Sequence, residues 1–284
     1  MKQRTGEGFL SLNQICSPSK MVQIQYASDL HIDNVPSIPF ESVLTPVAPL
    51  LVIAGDVCSV WDPRYATFLE WCSNHWSAVI LIAGNHEYFI EDPHVKTLDD
   101  TDSYIRSLSA KYKNIIYLQA GQSATVSGIR FIGATLWSAV DPSIWNDIAK
   151  AKGDYTDTYV QQGPTIRHSH PSDMTALHAL HKARIASAIS PRFPGEPIVV
   201  ITHHMPSFAL MEQKYKTRPL RSCYASADDD LIVPPVRVWI CGHSHQSQQY
   251  RAPSGTVVLM NARGYAHERT RFLGPYNPAA TFTL

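Results

Sequence analysis

Five short polar clusters carry the residues of this sequence that are best suited to chemistry, and each cluster follows an apolar run. They are Asp29-Leu30-His31, Gly55-Asp56, Gly84-Asn85-His86-Glu87, His203-His204 and Gly242-His243-Ser244-His245. Because open α/β sheets bind their ligands at the carboxyl ends of neighbouring strands, we expect the clusters to converge at one edge of a sheet. Their carboxylates and imidazoles, without thiolates, predict a site for two metal ions.

The spacing within the clusters indicates which residues share a metal. Asp29 and His31 are two apart, so on an extended strand both side chains point to the same face and can bind one ion. His243 and His245 have the same spacing. Asp56 has two carboxylate oxygens that can bridge two cations, and the glycine before it allows a close approach of the backbone.

The other clusters supply a neutral ligand, a free histidine and one open assignment. Asn85 offers an amide oxygen, whereas His86 follows it in a turn, points elsewhere and is free to act on a substrate. His203 ends its apolar run and is the expected ligand, with His204 as the alternative. Glu87 is expected to orient the turn and not to bind a metal.

In their order the clusters resemble the calcineurin-like metallophosphoesterase superfamily, whose pattern is DxH, GD, GNH[ED], a strand-ending His and GHxH. The resemblance covers about residues 23–245. The run Asn261-Ala262-Arg263-Gly264-Tyr265 is similar to a further motif of one bacterial branch. The resemblance implies an enzyme that hydrolyses phosphate monoesters or diesters with the help of metal ions.

The resemblance also implies a role for each site residue. The implied metal ligands are Asp29, His31 and His245 for one ion and Asn85, His203 and His243 for the other, with Asp56 between them. A hydroxide between the metals would attack phosphorus, and His86 would protonate the leaving oxygen or stabilise the transition state. We expect two divalent or trivalent ions, with Mn first and Fe, Zn, Co, Ni or Mg as alternatives.

Apolar runs of strand type alternate with segments of helical character, which favours an α/β fold. The strand runs are 22–27, 50–54, 79–83, 129–134, 197–202, 236–241 and 256–260, and the helical segments are 63–76, 97–112 and 173–189. Two short runs, 115–118 and 124–126, predict strands at an edge or in a second sheet. We expect two packed mixed β-sheets flanked by helices, a four-layer α/β/β/α sandwich with the metal site at the strand carboxyl ends.

Residues 21–284 are expected to form a single domain, because the clusters need both ends of the chain folded together. Residues 1–20 are expected to be a flexible extension, and Met21 is a candidate natural start. We interpret residues 141–190 as an insertion, with a helix packed on the sheet and a loop that overhangs the site. The apolar positions of that helix are Met174, Leu177, Leu180 and Ile185.

The composition of the chain limits the classes of binding partner that we expect. The 24 Lys and Arg residues balance 24 Asp and Glu, so a net charge of zero gives no global attraction for long nucleic acid. The expected partner is a small phosphorylated substrate, such as a nucleotide. No apolar run of about 20 residues predicts a membrane span. Five cysteines without paired spacing favour a reduced, cytoplasmic protein, with Cys58 and Cys241 as buried small apolar residues.

Four further histidines have less specific surroundings. His168 and His170 have metal-type spacing, but they lie in a proline-bounded segment without a partner carboxylate and are expected to be solvated. His178 and His181 are helical neighbours and are expected to be surface or packing residues.

Two other functional classes stay open. The same site could cleave a nucleotide pyrophosphate or a nucleic acid, although the zero net charge counts against long polymers. A non-catalytic metal-binding scaffold for a protein partner is the other class, although no ligand of the pattern is missing. Tyr265 is a candidate for lining a substrate pocket, with core packing as the alternative, and Arg263 is a candidate for holding a phosphate.

Overall fold

The computed structural model describes residues 21–35, 37–90, 97–190, 195–268 and 274–284. The strands are β1 (Gln23–Ala27), β2 (Leu50–Ala54), β3 (Ala78–Ile82), β4 (Ile115–Tyr117), β5 (Gln122–Val126), β6 (Ile129–Ala134), β7 (Tyr159–Gln162), β8 (Thr165–His168), β9 (Ile198–Thr202), β10 (Val236–Ile240), β11 (Ser247–Arg251), β12 (Val257–Asn261) and β13 (Thr281–Thr283). The α-helices are α1 (Pro63–His75), α2 (Leu98–Ser109), α3 (Trp145–Ile148), α4 (Gly153–Thr156) and α5 (Pro171–Ala188). The extension predicted at residues 1–20 lies outside the described residues.

Two mixed sheets form the centre of the fold. The first has the strand order β13–β1–β2–β3–β4, in which β1 to β4 are parallel and β13 is antiparallel. The second has the order β11–β12–β10–β9–β6–β5, with β11 and β5 antiparallel at its two edges and the inner strands parallel. The two short runs predicted as edge or second-sheet strands are therefore β4 and β5, each at an edge.

The two sheets pack face to face through a shared apolar layer. Because side chains alternate along a strand, Leu50 and Val52 of β2 enter this layer, where Val199 and Ile201 of β9 join them. Leu51 points to the opposite face, which α1 and α2 cover. Helix α5 covers the outer face of the second sheet. The predicted fold class, two mixed sheets between helices, is confirmed.

Local capping explains where two of the longer helices begin. Asp62 accepts a hydrogen bond of 2.8 Å from the backbone N–H of Arg64, and a proline occupies the first position of α1. In α5, Pro171 has the same position, and Asp173 accepts a hydrogen bond of 2.8 Å from the backbone N–H of His170. Among the described helices, none combines the length and the apolar character that crossing a bilayer requires.

Residues 141–190 differ from the prediction in three respects. They contain the hairpin β7–β8, which the sequence did not predict, and His168 ends β8 instead of lying in a loop. Leu180 is 42% exposed, although the apolar periodicity of α5 placed it in the core. His178 and His181, for which surface and packing positions were both open, are buried and pack on the inner face of α5. Strands β11 and β13 were also not predicted.

Candidate metal centre

The five polar clusters directly follow β1, β2, β3, β9 and β10, and they meet at one edge of the two sheets. Five of their residues have left-handed backbone with φ between 41° and 65°: Asp29, His31, Asp56, His243 and His245. Residues other than glycine seldom adopt this conformation, and such strain concentrates at functional sites. The left-handed turns point the side chains of successive clusters toward one another.

Two glycines allow the loop backbones to approach the carboxylates closely. A Cβ at Gly84 would collide with the carboxylate of Asp56, and a Cβ at Gly242 would lie 2.5 Å from Oδ2 of Asp29. Glycine is the residue that leaves this space free.

The first group of converging ligand atoms comprises Asp29, His31, Asp56 and His245. The Nε2 atoms of His31 and His245 are 3.0 Å apart. Nε2 of His245 lies 3.5 Å from Oδ1 of Asp29, and Nε2 of His31 lies 3.8 Å from Oδ2 of Asp56. Two imidazoles and two carboxylates therefore surround one position.

The second group comprises Asp56, His203 and His243, and Asn85 joins it through its amide oxygen. Nε2 of His203 lies 3.2 Å from Oδ2 of Asp56. Oδ1 of Asn85 lies 3.0 Å from Nε2 of His203 and 3.1 Å from Nδ1 of His243. Asp56 belongs to both groups, so the two positions are adjacent.

His204, the alternative ligand, lies outside both groups. Its backbone N–H donates to the carbonyl oxygen of Thr135 at 3.2 Å, and its ring packs beside Trp137 with a centroid separation of 5.6 Å. Its ring also lies against that of His243, with centroids 4.0 Å apart. The geometry thus brings His203, and not His204, to the carboxylates.

The donor set fits metal ions. Burial lowers the pKa of His31 and of His243 well below the usual range, so both imidazoles are neutral and keep a lone pair for a ligand. Burial alone would lower the pKa of His203 too, but the neighbouring carboxylate of Asp56 raises it to about 10. Buried carboxylates beside several imidazole nitrogens, with mixed N and O donors, match transition metals better than Ca²⁺.

Three contacts outside the ligand groups orient the ligands. Nδ1 of His245 lies 2.5 Å from Oε2 of Glu268, which directs Nε2 toward the first group. The side-chain N–H of Asn85 donates to Oδ1 of Asp154 at 2.7 Å, which directs the amide oxygen toward the second group. Nδ1 of His203 lies 2.8 Å from the carbonyl oxygen of Ala54. Such outer contacts fix ligand geometry and tune metal affinity.

Glu87 holds the loops together and does not join either ligand group. Its carboxylate accepts hydrogen bonds from the backbone N–H groups of Gly84 at 2.7 Å, of Asp56 at 2.9 Å and of Val57 at 2.8 Å. It therefore joins the two loops that follow β2 and β3, in line with the structural role predicted for it.

His86 lies beside the ligand groups and faces a cavity of about 620 Å³. Its backbone N–H donates to Oδ1 of Asp56 at 2.9 Å, and its Nε2 lies 3.2 Å from the hydroxyl of Tyr265. Tyr265 thus lines the cavity. Arg263 does not, because its guanidinium is buried and donates to the carbonyl oxygen of Leu30 at 2.6 Å.

The cysteines beside the clusters are buried and belong to neither ligand group. Burial raises the pKa of the Cys58 and Cys241 thiols, which disfavours the thiolate that metal binding requires. This agrees with the prediction of small apolar residues.

Asp154 and Glu268 are the site residues that sequence reasoning missed. Asp154 lies on the short helix α4, and Glu268 follows the run that ends at Tyr265. Neither follows a strand or belongs to a polar cluster, so no local signal distinguishes them from surface acids. Only the tertiary fold brings them to the ligands.

Comparison with known proteins places the chain in a family. The sequence profile of the calcineurin-like phosphoesterases matches residues 27–247, and the chain belongs to this family. The predicted resemblance and the predicted class of enzyme, a metal-dependent phosphoesterase, are confirmed.

Two individual proteins are similar over most of the chain. The uncharacterized protein L509 of Acanthamoeba polyphaga mimivirus is 25% identical over 277 residues, which cover 89% of this chain and 94% of that protein. The crystal structure of phosphopantetheinyl hydrolase (PptH) from Mycobacterium tuberculosis superposes with a TM-score of 0.68 at 17% identity, over 92% of this chain and 95% of that one. At 17% identity, the similarity to the mycobacterial structure shows a shared fold and no more.

Proposed function

We propose that this protein hydrolyses a phosphate ester in a small molecule with two metal ions, Mn²⁺ first among the candidates. The observation that carries the proposal is that Asp56 belongs to both ligand groups. Its two oxygens provide one carboxylate for two adjacent cations, an arrangement typical of enzymes that displace an oxygen at phosphorus.

We propose the division of the ligands that the family resemblance implies. Asp29, His31 and His245 would hold one ion, Asn85, His203 and His243 the other, and Asp56 would contact both. When bound, the two ions would lower the pKa of a water and offset the negative charge of the phosphate.

His86 is the candidate general acid. Its backbone contact with Asp56 fixes its position beside both ligand groups, and its ring faces the cavity. In hydrolysis a P–O bond breaks while water supplies the new oxygen, and the leaving oxygen needs a proton. Nε2 of His86 can provide it, and the hydroxyl of Tyr265 contacts that nitrogen.

The proposal is tested with protein that has been stripped by a chelator and reloaded with Mn²⁺. We expect cleavage of p-nitrophenyl phosphate or bis-p-nitrophenyl phosphate, and loss of this cleavage in Asp56→Asn. Unchanged cleavage in Asp56→Asn would overturn the assignment of the shared carboxylate. Reloading with Fe, Zn, Co, Ni or Mg identifies the metal that supports the highest rate.

A nucleotide pyrophosphate cleaved at the same site is the second candidate, and the size of the cavity favours a substrate larger than a simple monoester. A volume of about 620 Å³ exceeds what a phosphoryl group alone requires and is typical of sites for whole small molecules. Dinucleoside polyphosphates and cyclic nucleotides therefore belong in the screen. A phosphopantetheinyl compound joins them, because the mycobacterial protein of similar fold is named a phosphopantetheinyl hydrolase. The cytoplasmic location stays a prediction.

A non-catalytic scaffold has less support. Its mark would be a missing ligand, and all seven predicted ligands lie in or beside the two groups. Binding of metal without any phosphatase or phosphodiesterase activity across the screen would favour it.

A further inference from the structure

The cavity above the ligand groups has a second, differently built side. One side is formed by the clusters at the strand ends. The other side, which we call the outer wall, is formed by residues 151–157 and by residues 211–224. The outer wall lies in the segment around α4 and in the connection between β9 and β10.

Three cations of the outer wall line the cavity. Nζ of Lys152 donates to the hydroxyl of Tyr224 at 2.8 Å and lies 4.2 Å above the centre of that ring. The guanidinium of Arg218 lies 5.6 Å from the ring centre of Tyr215. Arg221 donates to a backbone carbonyl oxygen and lies over another aromatic ring. The rings support the cations without neutralising their charge.

The positive charges of these three side chains are available to an anionic ligand. Within the described residues, no ion pair joins Lys152, Arg218 or Arg221 to a carboxylate. Two acids that line the same cavity already have partners, since Asp154 accepts from Asn85 and Glu268 contacts His245. Asp157 is exposed and accepts from a neighbouring hydroxyl. Arg218 and Arg221 are exposed, so their side chains can rearrange around a ligand.

A guanidinium presents several N–H donors in a planar fork that matches the oxygens of a phosphate. A phosphoryl group bound at the ligand groups fills a small part of the cavity volume of about 620 Å³. The remainder of the ligand therefore reaches the outer wall, where cations and aromatic rings line the space together.

We infer that the substrate carries a second phosphate group, remote from the one that is hydrolysed, and that Arg218 and Arg221 bind it. This inference rests on the proposed function and names the substrate class for the same site. The ligand is a small organic bisphosphate, with its first phosphate at the strand ends and its second at the outer wall. Lys152 adds a third positive charge to the same wall.

The test compares two probes that differ in one phosphate. Adenosine 3′,5′-bisphosphate and adenosine 5′-phosphate are titrated into the Mn²⁺-loaded protein by calorimetry, which requires no turnover. Because the second phosphate would gain charge-assisted hydrogen bonds from the two guanidinium groups, we expect the bisphosphate to bind at least about tenfold more tightly. The dissociation constants are then measured for Arg218→Ala/Arg221→Ala and for the charge reversal Arg221→Glu.

In the double variant the ratio of the two dissociation constants should fall toward one, and in Arg221→Glu it should fall below the wild-type ratio. Arg237→Ala is the matched control, because Arg237 is an exposed arginine of β10 that does not line this cavity. Circular dichroism and metal content verify that each variant folds and loads. A ratio near one in the wild type, or a wild-type ratio in both variants, would overturn the inference.

The two proposals fail in different ways. If the protein binds the bisphosphate preferentially but cleaves no phosphate ester, the proposed function fails. The binding site for the second phosphate at Arg218 and Arg221, which we call the anion site, then stands. If it cleaves aryl phosphates but shows no preference for the bisphosphate, the anion site fails and the proposed function stands.

Discussion

The two sides of the cavity are built in opposite ways. On the metal side, Asp29 and His203 are fully buried, follow strands and have fixed hydrogen-bond partners. On the outer wall, Arg218 and Arg221 are exposed and lie on a connection without regular strands. Buried and strained residues hold one geometry, whereas exposed side chains on loops adapt to a ligand. In our proposal, the reaction takes place at the strand ends and the outer wall selects the substrate.

The largest expected effect concerns the shared carboxylate. Asp56→Asn should lower kcat/KM for aryl phosphates by more than the factor of about 10–100 that outer contacts of a metal typically contribute, because both ligand groups lose a charge. Steady-state kinetics with Mn²⁺ measures this. Asp147→Asn, at an exposed position of α3, is the matched control. A comparable loss in the control would mean that the effect is not specific to the centre.

His86→Ala tests which role the free histidine has. Removing a general acid should lower kcat by about 10²–10⁴ for an alkyl phosphate, whose leaving oxygen needs a proton. For p-nitrophenyl phosphate the loss should be smaller, because nitrophenolate leaves without protonation. Metal content should match the wild type, since His86 joins neither ligand group. An equal loss with both leaving groups would exclude the acid role and favour stabilisation of charge in the transition state.

Asp154 connects the two sides, because it belongs to α4 and contacts a ligand of the second group. Asp154→Ala should weaken binding of one metal ion by about 10–100-fold, as loss of an outer contact typically does. Asp154→Asn should retain most of the affinity, because its amide oxygen can still accept the hydrogen bond from Asn85. Metal titration by calorimetry distinguishes the variants. Equal affinities in wild type and Asp154→Ala would show that Asn85 needs no such support.

The smallest expected effect is on the stability of the wall. Leu220 lines the cavity and is 47% exposed, so Leu220→Ala should change the free energy of unfolding by less than about 0.5 kcal/mol. Ile201 is buried between the sheets, and Ile201→Ala should cost about 2–5 kcal/mol. Urea denaturation measures both. A large loss in Leu220→Ala would show that the wall is part of the core.

The same contrast explains what the sequence could predict. The apolar runs before Asp56 and His203 are fully buried strands, so their composition indicated the sheets and the edge at which the polar clusters meet. Leu180 was misplaced because periodicity does not register that an imidazole, such as that of His178, can fill a buried position. Hairpin β7–β8 has an exposed or half-buried face on each strand and therefore lacks a strong apolar signal.

The outer contacts could not be predicted for a different reason. Asp154 and Glu268 contact residues that are distant in the sequence. Asp154 is 69 residues from its partner Asn85, and Glu268 is 23 residues from its partner His245. Neither separation corresponds to a helical or strand period, so nothing in the local pattern joins the partners. Of the cations of the outer wall, Arg218 and Arg221 are three residues apart in the sequence, and the fold brings Lys152 to the same cavity.

The proposed chemistry depends on the carboxylate of Asp56, which would contact both metal ions. The most direct measurement is the metal content of the Mn²⁺-reconstituted protein, determined by inductively coupled plasma mass spectrometry with the protein concentration from amino-acid analysis. We expect two ions per chain in the wild type and fewer in Asp56→Asn. One ion per chain in the wild type, or two in Asp56→Asn with unchanged affinity, would contradict the shared role of Asp56.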